Sequence, residues 1–546
     1  MTLRHQILGG ISALAIALVA VASPASAANI ERLLGGPKGV VKNDQGVALE
    51  GIGVQLISDK SNIRTTVYSN NDGRYEFPKL EPGTYTLRVA LPREFQPFVK
   101  KGVQISGATG FDDITLTRVT KLELLPPTKE IMAQMTGAEW LASLSGTGEE
   151  KKLLTQNCNF CHSYQQIFRN HYDEHGWTEI VQRMTHGAGS PLILQRPNGR
   201  FNDALQQELV HWLATVRGSE AEDPQFIPLP RPQGRATRVV ITEYELPRLE
   251  LATHDVSGDA QGNIWYSTHR SSYVGKLDPK TGKVTEFNVP DVDPNALPGT
   301  HWIHVDKKGI VWGSENWAHN IWHLDPKTNQ FSRVHWKVPE PINAPMGGNY
   351  SLDPQGNIWR ARGMKVTKVD SNTGEELFSY PTKKFAATYG SAMSDDGRYF
   401  GGGAWPRDGV IVVDTKTGEV FEPDSSPNTG PARGEFDPFG NYWAGGRGGL
   451  LVEFDIQKKR IVEYRTPTPY TALYTAHPDK NGEVWAGESH SGRYARFNPK
   501  TGVWTEYMLP EPYGFDRESW IDNSTDPVTV WYTDHDGYIA RIQPLE

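Results

Sequence analysis

From about residue 236 to the C-terminus the chain is built from two short units in alternation, and this repetition limits its fold more than any other feature. The first unit is Asp-x-x-Gly-x-φ-Trp, as in "DAQGNIW", "DKKGIVW", "DPQGNIW", "DPFGNYW" and "DKNGEVW", with tryptophans Trp265, Trp312, Trp359, Trp443 and Trp485. "SDDGRYFGGGAW" around Tyr399 is a degenerate copy, and "PVTVWYTD" with Trp531 is the last. The second unit is of the type VTEYxxP, from "VITEYELP" through "KVTEFNVP" and "RIVEYRTP" to "VWTEYMLP". The units recur about every 40 to 47 residues, the period of a β-propeller blade. A unit of the second kind comes first, at 241–247, and none follows the last tryptophan unit. This phase predicts seven blades rather than eight, with the strand near 239–247 closing the ring as the outer strand of the seventh. Closure hides sheet edges that would otherwise stay open. The aspartates of the repeat read as turn residues bonding nearby amides, and the tryptophans as packing between blades.

With 546 residues the chain is too long for a single core. Residues 35–120 alternate apolar and polar side chains, as in "GTYTLRVAL" with Tyr85, Leu87 and Val89 on one face, and carry Asp-Gly and Pro-Gly turns. They predict a small β-sandwich. Residues 130–217 switch to apolar spacings of three and four and predict a small helical domain. A Pro-rich linker, 218–235, follows. The expected fold class is therefore multidomain and mainly β. At the N-terminus "ILGGISALAIALVAVA" before "ASPASAA" reads as a secretory signal over residues 1–27, which predicts export, most simply to a periplasm. A net charge of −8 argues against a nucleic-acid partner.

The chain has two cysteines, both in "NCNFCHSY". A structural disulfide across so short a loop gains little. Zinc needs four ligands, and no second ligand pair lies nearby. A thioredoxin-type dithiol needs a βαβ context. Cys-x-x-Cys-His in an exported helical segment fits covalent haem attachment, with Cys158 and Cys161 binding the porphyrin and His162 ligating iron. For the sixth ligand Met184 is favoured: it follows Trp177 by two helical turns, so both share a face. His171, His175 and His186 are the rivals. Methionine ligation suits electron transfer.

In the repeats, the position three after each tryptophan reads Thr268, Glu315, Arg362, Gly446, Glu488 and Asp534, with His269, Arg447, His490 and His535 beside them. Equivalent positions in a ring converge on one axial face. His254 and His301 form another series, eleven before a tryptophan. Carboxylates and imidazoles at such a funnel suit a divalent ion or acid–base work, with the bland alternative that they merely solvate the face. His254, His269, His301, Glu315 and Asp534 are the candidate pore residues.

Three resemblances add to this. "GVVKNDQGVALEGIGVQLIS" through "LEPGTYTLRV" resembles the carboxypeptidase regulatory-like family, which implies an accessory module without catalytic residues. "CNFCHS...GWTEIVQRM...LVHWLATVRG" resembles a cytochrome c domain. The blades "GNIWYSTHRSSYVGKLDP" and "GEVWAGESHSGRYARFNP" resemble the streptogramin (virginiamycin B) lyase family. That family implies a Glu-x-His pair at the pore mouth, matched by Glu488 and His490, a magnesium ion, and elimination chemistry on a cyclic depsipeptide. The leading expectation is an exported monohaem protein in which the propeller binds or oxidises a small organic substrate and the haem passes electrons to a soluble or membrane-bound partner. The alternatives are a lyase of the streptogramin type and a non-enzymatic scaffold with an electron-shuttling haem.

Overall fold

The structure, a computed structural model, describes residues 33–120, 123–159, 162–186, 201–248, 252–290, 295–318, 320–334, 350–514, 516–534 and 537–546. The predicted signal at 1–27, Cys161 and His535 lie outside them, as does the side chain of His186.

Each repeat forms an antiparallel sheet, and the repeat motif explains its geometry. In the first, Thr253–Gly258, Ile264–Thr268, Tyr273–Leu277 and Val284–Asn288 pair in order. Asp259 sits at the turn between the first two strands. Its Oδ1 accepts the amides of Gln261 and Asn263, and its Oδ2 accepts the indole N–H of Trp265 at 3.0 Å. Asp306, Asp353, Asp437 and Asp479 hold Trp312, Trp359, Trp443 and Trp485 in the same way, each at 3.0 Å. The glycine between them is equally determined: Gly262, Gly309, Gly356, Gly440 and Gly482 have φ between 78° and 89°, where a Cβ is strained. In the degenerate copy Ser394 replaces the aspartate and its hydroxyl accepts the amide of Tyr399.

The tryptophans sit in second strands and pack between neighbouring sheets. Trp265 contacts Ile303, Val311 and Trp322 of the next sheet, and Trp443 lies against Leu473 and Val484. The second repeat unit supplies the outer strands. Among the described residues there are seven such sheets, and the first strand of the last, Asp516–Asp522, contacts the first strand of the first, Thr253–Gly258.

The strand Val239–Glu245 pairs antiparallel with Tyr538–Pro544, from Glu245 opposite Tyr538 to Val239 opposite Pro544. Its other edge is also occupied. Ile63–Tyr68 of the N-terminal β-domain pairs with it, Ile63 opposite Tyr244 and Val67 opposite Val240. One eight-stranded sheet thus runs from the seventh repeat into the N-terminal domain. The second layer of that domain is Arg74–Pro78, Gly35–Asn43 and Ile114–Leu116. Val41, Val54, Leu56, Phe77, Leu87 and Val89 fill the space between the layers.

Among the described residues, five helices between Lys129 and His186 and a sixth at Asp203–Val216 make up the helical segment, with two capping boxes setting helix starts: Thr136 with Glu139, and Thr147 with Glu150. Trp140, Leu154, Phe168, Trp177, Leu209 and Leu213 form their common core. The Pro-rich segment is docked rather than loose. The Leu229 amide donates to Glu139 at 2.7 Å, and Arg231 grips Glu94 with two hydrogen bonds at 3.0 and 2.9 Å.

Two outcomes follow. Asp437→Ala leaves a buried indole N–H without its acceptor and is expected to lower stability by about 1–3 kcal/mol, read from the denaturant midpoint; Asp437→Asn, which retains the turn acceptor, should lose less. Glu243, buried in the shared strand beside Gln55, has its carboxyl pushed up to about 8 from 4.5 by burial and by the charge of Glu511. Below 4.5 both folded and unfolded chains hold this proton. Above it the unfolded chain releases the proton while the folded chain keeps it to about 8, so folding is progressively disfavoured across that window. Glu243→Gln is expected to flatten that loss in stability measured against pH.

Candidate functional site

Two groups of side chains meet at one end of the sheets. The first is helical. Cys158 caps the helix Gly148–Asn157, and His162 follows just before the helix Tyr164–Phe168. The Nδ1 of His162 lies 3.2 Å from the carbonyl of Ser163, which fixes the proton there and leaves Nε2 as the lone-pair nitrogen. Burial lowers the pKa of this imidazole. Cys158, His162, Trp177, Ile180, Met184 and Leu213 line one cavity of about 240 Å³. Met184 and Trp177 therefore do share a face of Glu174–His186. Of the rivals, His171 uses both nitrogens elsewhere, on the Gly218 carbonyl at 2.8 Å and on Arg217. His175 is exposed and does not line the cavity.

The second group sits where the first strands of the sheets begin. His254, His269 and His301 come together, with one ring nitrogen from each within 4.8 Å of the others. His254 is fully buried, its Nδ1 2.6 Å from Asp255 Oδ1 and its Nε2 3.1 Å from the Tyr474 hydroxyl, which in turn meets Tyr389 at 2.7 Å. Arg433 bonds Asp255 and Glu518, each at 2.7 Å, and lies 3.2 Å from Nδ1 of His301. His477 donates to Glu518 at 2.6 Å. Burial and the nearby arginines Arg517 and Arg270 hold His269 at about 3, and burial together with His301 pushes His254 well down, so both imidazoles are neutral. Burial alone would raise the Glu518 carboxyl, but Arg433 and His477 outweigh it and hold it at about 2.

The other expected pore residues are not members of the three-histidine group. Glu315 is engaged by Arg333 at 3.1 Å within its own sheet. Asp534, opposite Asp516 in the seventh sheet, accepts at its backbone carbonyl from Thr253. Glu488 and His490 also do not join it. Glu488 sits in a second strand, opposite Leu473 and Arg493, bonded to the Ser491 hydroxyl at 3.0 Å; burial and then Glu506 drive its pKa well up. His490, at φ 78°, stacks on Tyr164 of the helical segment, 3.7 Å between ring centres and 5° from parallel, with its Nε2 3.3 Å from the Asn159 carbonyl.

Sequence reasoning missed Tyr389, Arg433, Tyr474, His477 and Glu518. A signal for two of them existed. The offset of eleven that marks His254 and His301 gives Tyr474 from Trp485, and Tyr389 from Phe400, which stands in the tryptophan place of the degenerate repeat.

The two groups are in contact through the segment carrying Cys158. The Asn159 side chain donates to the Arg447 carbonyl at 2.7 Å, and the Arg447 guanidinium donates back to the Asn159 carbonyl at 2.5 Å. That guanidinium also lies 5.2 Å from the centre of the Tyr474 ring. Gln165 donates to the carbonyl of Pro512 at 2.8 Å, and the Ala138 amide to that of His490 at 2.7 Å. The helical segment thus covers the end of the sheets where the histidines gather.

Residues 38–117 match the carboxypeptidase regulatory-like domain family. A search of curated protein sequences returns no match. Among solved structures the chain is similar to virginiamycin B lyase from Staphylococcus aureus, at 18% identity over 56% of this chain and 99% of that one, with TM-score 0.47. It is similar to a streptogramin B lyase at 19% identity over 57% and 100%, TM-score 0.48, and to a chain of a mitotic checkpoint complex at 10% identity over 55% and 90%, TM-score 0.43.

Glu518→Gln removes the shared anion between Arg433 and His477 and is expected to destabilise the protein by about 3–5 kcal/mol near neutral pH. A carboxylate held below its ordinary value stabilises above that value and loses the contribution as pH falls through the folded one. The difference from the parent should therefore shrink below 4.5 and vanish near 2, followed by denaturation at stepped pH.

Proposed function

We propose that the protein is an exported electron-transfer protein carrying one covalent haem c, with a closed seven-bladed propeller that takes a small organic substrate at its mouth. The observation that carries the reading is the single apolar cavity shared by Cys158, His162 and Met184. Its donor set fits the group: a thiol at a helix end, an imidazole with Nδ1 directed to a carbonyl, and a thioether on a separate helix. A haem held there supplies one-electron exchange at its iron. Cys158 and Cys161 would anchor it, His162 Nε2 and Met184 Sδ would ligate it, and Leu154, Ile180 and Leu213 would keep water from it.

The propeller's share is substrate binding, and the electron leaves to a soluble or membrane-bound partner beyond the cytoplasmic membrane, as the leader at 1–27 implies. Arg447 and Tyr474 link the Asn159 loop to the histidine cluster, which supports coupling between substrate and haem. The streptogramin-type reading draws no support from Glu488 and His490, whose side chains bond the Ser491 hydroxyl and stack on Tyr164.

Protein produced with a cytochrome c maturation system should give a pyridine haemochrome of one covalent haem per chain, and Cys158→Ala should lose covalent attachment. Met184→Ala is expected to retain haem, lose the sulfur-to-iron charge-transfer band and fall in reduction potential. A matured chain without haem would overturn the reading, and a band that survives Met184→Ala would overturn the axial assignment.

A further inference from the structure

We propose that His254, His269 and His301 form a binding site for one first-row transition-metal ion in the mouth of the propeller. The site stands on its own residues and holds whether or not a haem is attached. Three features carry it. The ligand nitrogens come from two sheets, His254 and His269 from the first and His301 from the second, yet lie within 4.8 Å of one another. Around an ion with metal–nitrogen bonds of about 2.0–2.1 Å they would close to roughly 3.3 Å, a change within reach of ring rotation.

The second feature is an unused nitrogen. His269 Nε2 is buried and has no hydrogen-bond partner among the described residues. A buried imidazole nitrogen without a partner costs stability unless something else occupies it. The third is the support behind His254. Asp255 Oδ1 accepts from the His254 Nδ1–H at 2.6 Å, which leaves the lone pair on Nε2, and Arg433 fixes that carboxylate at 2.7 Å. A carboxylate behind a ligating histidine sets its tautomer and raises its basicity. The Tyr474 hydroxyl, now 3.1 Å from Nε2, has Tyr389 as an alternative partner at 2.7 Å, so an ion can displace it.

The donor set decides the class of ion. Imidazole nitrogen suits copper, zinc, iron and nickel, whereas magnesium takes oxygen ligands. The magnesium ion implied by the lyase resemblance would find nitrogen donors here, with the one adjacent carboxylate committed to Arg433 and His254. Three histidines also leave a fourth coordination position, the arrangement of a catalytic rather than a structural site.

The test uses the full-length matured protein, stripped with a chelator and loaded separately with Cu²⁺ and Zn²⁺. Elemental analysis after gel filtration should find one added ion per chain for each metal. The copper form should show a paramagnetic resonance signal with nitrogen superhyperfine structure. His269→Ala, chosen because this residue is only half-buried, should weaken binding at least tenfold with an unchanged thermal melt, and His254→Ala/His301→Ala should abolish it. A parent protein that retains no ion of either metal overturns the site. Copper held as tightly and with the same signal in His269→Ala overturns it too. Pyridine haemochrome values on the same samples report the haem separately, so loss of one reading does not disguise loss of the other.

Discussion

The aspartate–tryptophan hydrogen bond that five of the seven repeats share is the constraint on which the rest depends. One carboxylate closes the turn with one oxygen and holds an indole with the other. The turn fixes where the second strand begins, and the indole fixes which face of that strand is pressed against the next sheet. Because five repeats share this bond at one length, their sheets present first strands in equivalent positions. Side chains at the start of those strands then converge without individual arrangement. The histidine cluster is a product of this repetition: His254 and His301 occupy the same place in successive sheets.

Much of this was legible in the chain itself because the determinants are local. An aspartate, a glycine that needs positive φ and a tryptophan lie within seven residues, so motif and geometry map directly onto each other. The offset from tryptophan to the first strand is likewise constant, which is why His254 and His301 could be picked out. That Trp177 and Met184 share a helix face, and so line one cavity with Cys158 and His162, was legible for a related reason, since helical spacing ties Met184 to Trp177.

What was not legible is pairing between distant edges. Nothing in Ile63–Tyr68 announces that it will lie beside Val239–Glu245, because any half-buried strand with a free edge meets the same description. The fate of Glu488 and His490 was hidden for another reason. A Glu-x-His match specifies residue types, but the partners they meet, Ser491 for Glu488 and Tyr164 of the helical segment for His490, are set by tertiary packing. The docking of the helical segment by Asn159 and Arg447 depends on backbone carbonyls, which carry no residue signature.

The shared strand gives the molecule an order of assembly. Val239–Glu245 has two partners, one earlier in the chain, Ile63–Tyr68, and one some three hundred residues later, Tyr538–Pro544. Until the last strand emerges, the N-terminal domain can hold this segment with one edge still bare. The helical segment lies between these two events in the chain, so it is tethered at the place it will cover before the surface it covers exists. The N-terminal β-domain thus offers Val239–Glu245 a pairing edge that does not depend on the remaining sheets.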